Sequence, residues 1–122
     1  MRAVTIMSLL FFACATAQPK PHTTTSEPVS LARLAKARGK HFGTAVRVEA
    51  LRSDSRYASV IKEQFDTLVL ENEMKMRRVQ PSRGVFHFED ADYAVAFARD
   101  NGMKMRGHTL VWAESIPDWV SG

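Results

Sequence analysis

The chain has 122 residues, a formal net charge of +4 and one cysteine, Cys14. The charge is modest and spread out. The basic residues at 33, 36, 38 and 40 have no aromatic residue between them, so they read as a solvated helix face and not as a nucleic-acid patch. Cys14 falls in an apolar leader, so the rest of the sequence excludes a disulfide framework, a thiolate metal site and a cysteine nucleophile.

Met1-Arg2 is a short positive start, Ala3 to Ala13 is almost wholly apolar, and Ala15-Thr16-Ala17 fits a small-x-small cleavage site. The run is shorter than the roughly 20 residues that span a bilayer. Residues 1–17 are therefore expected to be a secretory signal peptide and the protein to be extracellular, with no membrane partner. A lipoprotein signal ending at Cys14 is the alternative, and Phe11-Phe12-Ala13 matches it poorly. Residues 18–29 are rich in Pro and Thr without an apolar period, which predicts an extended linker.

The folded part is expected from Ser30, a candidate N-cap, with Leu31, Leu34 and Ala35 at helical spacing and Gly39 at the helix end. His41-Phe42-Gly43-Thr44-Ala45-Val46 is a strand candidate. Ser53-Asp54-Ser55 offers capping oxygens to a second helix with an apolar stripe at Tyr57, Val60, Ile61 and Phe65. Asp66 to Leu70 predicts a strand whose apolar run suits burial on both faces of a parallel sheet. After a turn at Pro81-Ser82-Arg83-Gly84, the acids Glu89, Asp90 and Asp92 begin a helix with Tyr93, Ala94, Phe97 and Ala98 on one stripe; Asn101-Gly102 ends it. Met103 to Val111 predicts a third strand. The order is helix, then β-α-β-α-β, an α/β pattern that delivers polar residues to one sheet edge.

Two polar clusters stand at such edges. Glu71, Asn72 and Lys75, just past the second strand, offer the mixed donors and acceptors that sugar hydroxyls require; the alternative is a solvated loop. His108 and Trp112 are four residues apart, so strand alternation places them on one face as a pocket wall that hydrogen-bonds and stacks. Taken singly, each also fits a structural role. Trp119, after Pro117, is expected to pack. No metal cluster, nucleotide-binding glycine loop or Ser/His/Asp order is visible, so no cofactor and no metal are expected.

Glu71-Asn72-Glu73-Met74-Lys75, Gln80-Pro81-Ser82-Arg83-Gly84-x-Phe86-x-Phe88, and Arg106-Gly107-His108-Thr109-Leu110-Val111-Trp112 with Pro117-Asp118-Trp119-Val120 together resemble glycoside hydrolase family 10. This is the family of retaining endo-β-1,4-xylanases with a (β/α)8 TIM barrel fold. The resemblance implies that residues 30–122 are the N-terminal portion of such a barrel, its first three βα units, incomplete in this chain. It also implies that Glu71, Asn72 and Lys75 hydrogen-bond the sugar on the non-reducing side of the cleaved bond. His108 and Trp112 would shape the cleavage subsite. Met76, Ala113 and Ser115 depart from the family's usual tryptophan, histidine and glutamine.

Retaining glycosidases use two carboxyl groups about 5–5.5 Å apart. The family draws them from its fourth and seventh strands, so no catalytic residue is expected within this chain. A complete barrel takes roughly 250 residues. The chain is accordingly expected to be an inactive fragment of a secreted xylanase acting on xylan or a related β-1,4-linked polysaccharide, and a monomer when full length. Two alternatives stay open: a short secreted carbohydrate-binding protein without turnover, and a barrel enzyme acting on another glycan.

Overall fold

The computed structural model describes residues 29–121. The expected signal peptide and nearly all of the expected linker lie outside the described residues. Three parallel strands, β1 (Gly43–Val46), β2 (Thr67–Leu70) and β3 (Lys104–Arg106), lie in the order β1-β2-β3. Helices α1 (Leu31–Lys36), α2 (Val48–Ser53), α3 (Ser55–Gln64), α4 (Met76–Val79), α5 (Glu89–Asp100) and α6 (Asp118–Ser121) complete the described residues, with a 3-10 turn at Ala113–Ser115. Among the described residues no helix is long and apolar enough to cross a membrane.

Local chemistry accounts for both ends of α1, the start of α3 and the end of α5. The Ser30 hydroxyl accepts from the Arg33 N–H at 3.4 Å, and Gly39 closes α1 at φ 66°. The Asp54 carboxylate accepts from both Arg56 and Tyr57 N–H at 2.9 Å and starts α3. Gly102, at φ 65°, follows α5. α2 has no cap of its own, because Arg47 stands at its N-cap without a side-chain hydrogen bond.

Register pairs Val46 with Leu70 and Leu68 with both Thr44 and Met105, which puts them on one face of the sheet. Val46, Leu68 and Leu70 are fully buried there against Val48 and Leu51 of α2, Ile61 of α3 and Ala91, Ala94 and Ala98 of α5. The alanines let α5 approach closely. On the opposite face Gly43, Ala45, Thr67, Val69 and Arg106 border an open hollow. β2 is thus packed on one face only, not on both as its apolar run suggests. Leu68 and Leu70 face the helices, while Thr67 and Val69 are half-buried. The apolar residues Leu31 and Leu34 of α1 and Val60 of α3 are likewise exposed among the described residues.

The third strand is much shorter than the predicted Met103 to Val111. It pairs with β2 only as far as Val69↔Arg106, and residues 107–112 are irregular, with a cis peptide between His108 and Thr109. Beyond Arg106 no described strand supplies hydrogen bonds, and an apolar run alone does not make a ladder.

A polar clamp joins the N-terminal ends of all three strands. The Asp66 carboxylate accepts from Phe42 N–H at 3.0 Å and from the Thr67 hydroxyl at 2.9 Å, and it lies 2.8 Å from His41 Nδ1. The Lys104 ammonium is 2.8 Å from His41 Nε2. An ammonium can only donate, so Nε2 accepts and Nδ1 carries the proton given to Asp66.

Candidate functional site

The opposite, C-terminal ends of the strands carry the polar loops. Glu71 N–H donates to Val46 O at 3.0 Å, which extends the β1–β2 ladder by one bond and then releases the chain. The next turn is closed by Lys75 N–H to Asn72 O at 2.9 Å. In it the Lys75 ammonium donates to Asn72 Oδ1 at 3.0 Å and sits 4.3 Å from the centroid of the Trp112 ring. Asn72, Lys75 and Trp112 are therefore brought together as one polar and aromatic group. Trp112 is exposed on its remaining surface.

Glu73 organises this group. Its Oε2 accepts from Asn72 N–H and its Oε1 from Val48 N–H, both at 3.1 Å. Val48 is the first residue of α2, so a carboxylate 25 residues downstream supplies the cap that Arg47 does not. Nothing local in the sequence signals the bond to Val48, which lies 25 residues from Glu73, outside any helical or strand spacing.

Beside Asn72 and Lys75 opens a concavity of about 580 Å³ between the loops after β1 and β2, reaching Asp90 and the buried Ser115. Arg52 pairs with Asp90 at 2.6 Å across it. Near its rim, burial is the largest influence on the Tyr57 phenol and raises its pKa; the Arg47 backbone hydrogen bond opposes this, and the Glu71 and Glu73 charges add to the rise. The result is a hydroxyl held above the ordinary phenol value.

The other two candidates are placed apart. Glu71 is exposed, and no side-chain hydrogen bond joins it to Asn72 or Lys75 among the described residues. His108 lines a separate, mostly apolar hollow of about 400 Å³ with Met74, Val79, Phe88 and Val95, where Trp112 does not reach. The alternation expected to put His108 and Trp112 on one face does not operate, because residues 107–112 are not a strand. Trp119 packs as expected: its indole N–H donates to Gln80 O at 2.9 Å. Glu73, Arg77 and Arg78 also line the large concavity, although no spacing in the sequence marks them as site residues.

Consecutive parallel strands with helices on one face and ligand-sized polar loops at the carboxyl ends define a portion of a (β/α)8 barrel of the glycosidase type, three strands of it. The chain belongs to glycosyl hydrolase family 10, whose pattern matches residues 30–122. It is 42% identical over 88 residues to endo-1,4-beta-xylanase 1 of Humicola insolens, covering 70% of this chain and 20% of that protein. Xylanase B from Clostridium stercorarium F9 superposes with a TM-score of 0.67 at 39% identity, covering 74% of this chain and 26% of that one. A mutant solved in complex with xylotriose gives 0.70 at 35% identity, over 75% of this chain and 27% of that one. The chain spans between 7% and 26% of the length of these and other curated relatives that it matches.

Proposed function

We propose that this chain forms the wall that binds the non-reducing side of the substrate in a secreted, retaining endo-1,4-β-xylanase, and that the acid/base and nucleophile lie outside it. The carrying observation is the Asn72–Lys75–Trp112 group, at 3.0 Å and 4.3 Å, beside an open polar cleft. An ammonium and a carboxamide together both give and accept, as vicinal hydroxyls require, and an exposed indole offers an apolar surface to a sugar ring. Family membership and the xylanases among the relatives support xylan as the polymer. Glu71 and His108 belong to the same reading as flanking contacts that a bound sugar would engage.

The test uses the complete protein with xylohexaose. Lys75→Met and Trp112→Ala should each lower kcat/KM about 10- to 100-fold with little change in thermal unfolding. Unchanged kinetics in both variants would remove these residues from the substrate path. Reducing-sugar release from cellulose but not from xylan would reassign the glycan. The second reading, a short secreted binder without turnover, draws on Ala113 and on Ser115, which lines the cleft where the family's usual glutamine is larger. A secreted product ending at Gly122 that binds xylotriose without hydrolysing it would favour that reading.

A further inference from the structure

We propose that the concavity beside Lys75 is a subsite for an acidic sugar branch, so that the preferred substrate is a xylan chain substituted with uronic acid. This inference rests on the xylan reading above and adds the chemistry of the side group. Every residue lining the concavity is polar or charged. A neutral sugar also takes a polar lining, so the sign of the charge is what distinguishes an acidic ligand. Five of the lining side chains are cationic, namely Arg47, Arg52, Lys75, Arg77 and Arg78, against three anionic, Glu49, Glu73 and Asp90.

The anions are already engaged. Asp90 is paired with Arg52 at 2.6 Å, Glu73 accepts from two backbone N–H groups, and Glu49 lies 3.4 Å from Arg47. The excess positive charge is less occupied. Lys75 contacts a carboxamide oxygen and an indole face, neither of them anionic. Arg77 donates to Ile116 O at 2.6 Å and is 3.7 Å from Asp118. The Arg78 guanidinium has no hydrogen-bond or ion-pair partner among the described residues.

A carboxylate is the group that a guanidinium fork recognises in bidentate fashion, and a uronosyl branch brings one on a sugar that also needs hydroxyl partners. Asn72 and Lys75 stand at the junction. Through the reading above they hold the main chain, and they also border the cationic concavity. A branched acidic sugar therefore fits the geometry better than a free anion, which would use only the cationic side chains and leave the Asn72 carboxamide idle.

The experiment measures binding to the complete protein at pH 6 and low salt by calorimetry. The ligands are xylohexaose, the same backbone carrying one uronosyl branch, and an oligogalacturonide. The branched ligand should bind at least about threefold more tightly than the neutral one, and about 0.5 M NaCl should erase the difference. Arg78→Gln should bring the ratio of the two dissociation constants close to one, with Arg78→Lys restoring part of it and thermal unfolding confirming that both variants fold. Equal binding of neutral and branched ligands overturns the subsite while leaving the xylan reading intact. Oligogalacturonide binding as tight as the branched ligand overturns it in favour of general anion attraction. No binding of any xylan ligand overturns both readings together.

Discussion

Lys75 and Asp66 show how single side chains hold the two ends of the sheet. Lys75 is fixed between an amide oxygen and an indole, which sets its ammonium direction before any ligand arrives, so less side-chain entropy is lost on binding. Asp66 does the equivalent at the other end. Desolvation, the largest single influence, pushes its carboxyl pKa up, but the hydrogen bonds from His41, Thr67 and Phe42 together outweigh it and leave the pKa below the ordinary carboxylate value. A depressed folded-state pKa means that the ionised form stabilises the fold at neutral pH. That contribution is lost as pH falls below the ordinary carboxylate range, about 4, toward the lower folded value. In the complete protein, Asp66→Asn should therefore cost about 1–2 kcal/mol at pH 7, and the gap to the parent should narrow at pH 3. Thermal unfolding followed at both pH values checks this; a gap that stays constant would contradict the assignment.

At the scale of elements, helix α2 depends on a loop that the sequence places far away. Glu73→Ala removes the acceptor for Val48 N–H and for Asn72 N–H together. We expect a loss of about 1–3 kcal/mol in stability and weaker xylo-oligosaccharide binding, because Asn72 loses its backbone anchor. Hydrogen exchange at Val48 and Asn72 should speed up in the variant; protection equal to the parent's would show that Glu73 is dispensable. What is legible in the sequence follows the range of each interaction. Ser30, Asp54, Gly39 and Gly102 punctuate their helices through short-range chemistry, and all four were legible. α2 was not, because its cap comes from a different loop. The third strand is shorter than its sequence suggests for a related reason: Gly107 to Trp112 is apolar enough for a strand, yet strand pairing is decided by neighbours. The Asn72–Lys75 pair is legible because the two lie one turn apart. Strand alternation would link His108 with Trp112, but the irregular backbone of residues 107–112 abolishes it.

For the whole molecule, the helices cover one face of the sheet and leave the hollow beside Gly43, Thr67 and Val69 open. Leu110 is 93% exposed and Val111 69% exposed. The outer edges of β1 and β3 have no strand partner among the described residues. Surfaces of this kind invite association. The 122-residue chain expressed alone should bind a hydrophobic dye such as ANS and sediment as more than a monomer. Supplying the remaining strands of a barrel should suppress both. A monomeric chain with a sharp, cooperative melt and no dye binding would count against its being one part of a larger barrel. The Glu73 bridge carries a further consequence, for loop exchange. Because one carboxylate serves the loops after both β1 and β2, neither loop can be lengthened alone without uncapping α2. A graft that inserts residues between Leu70 and Glu73 needs a replacement cap, and Arg47→Asp is the simplest way for α2 to carry its own.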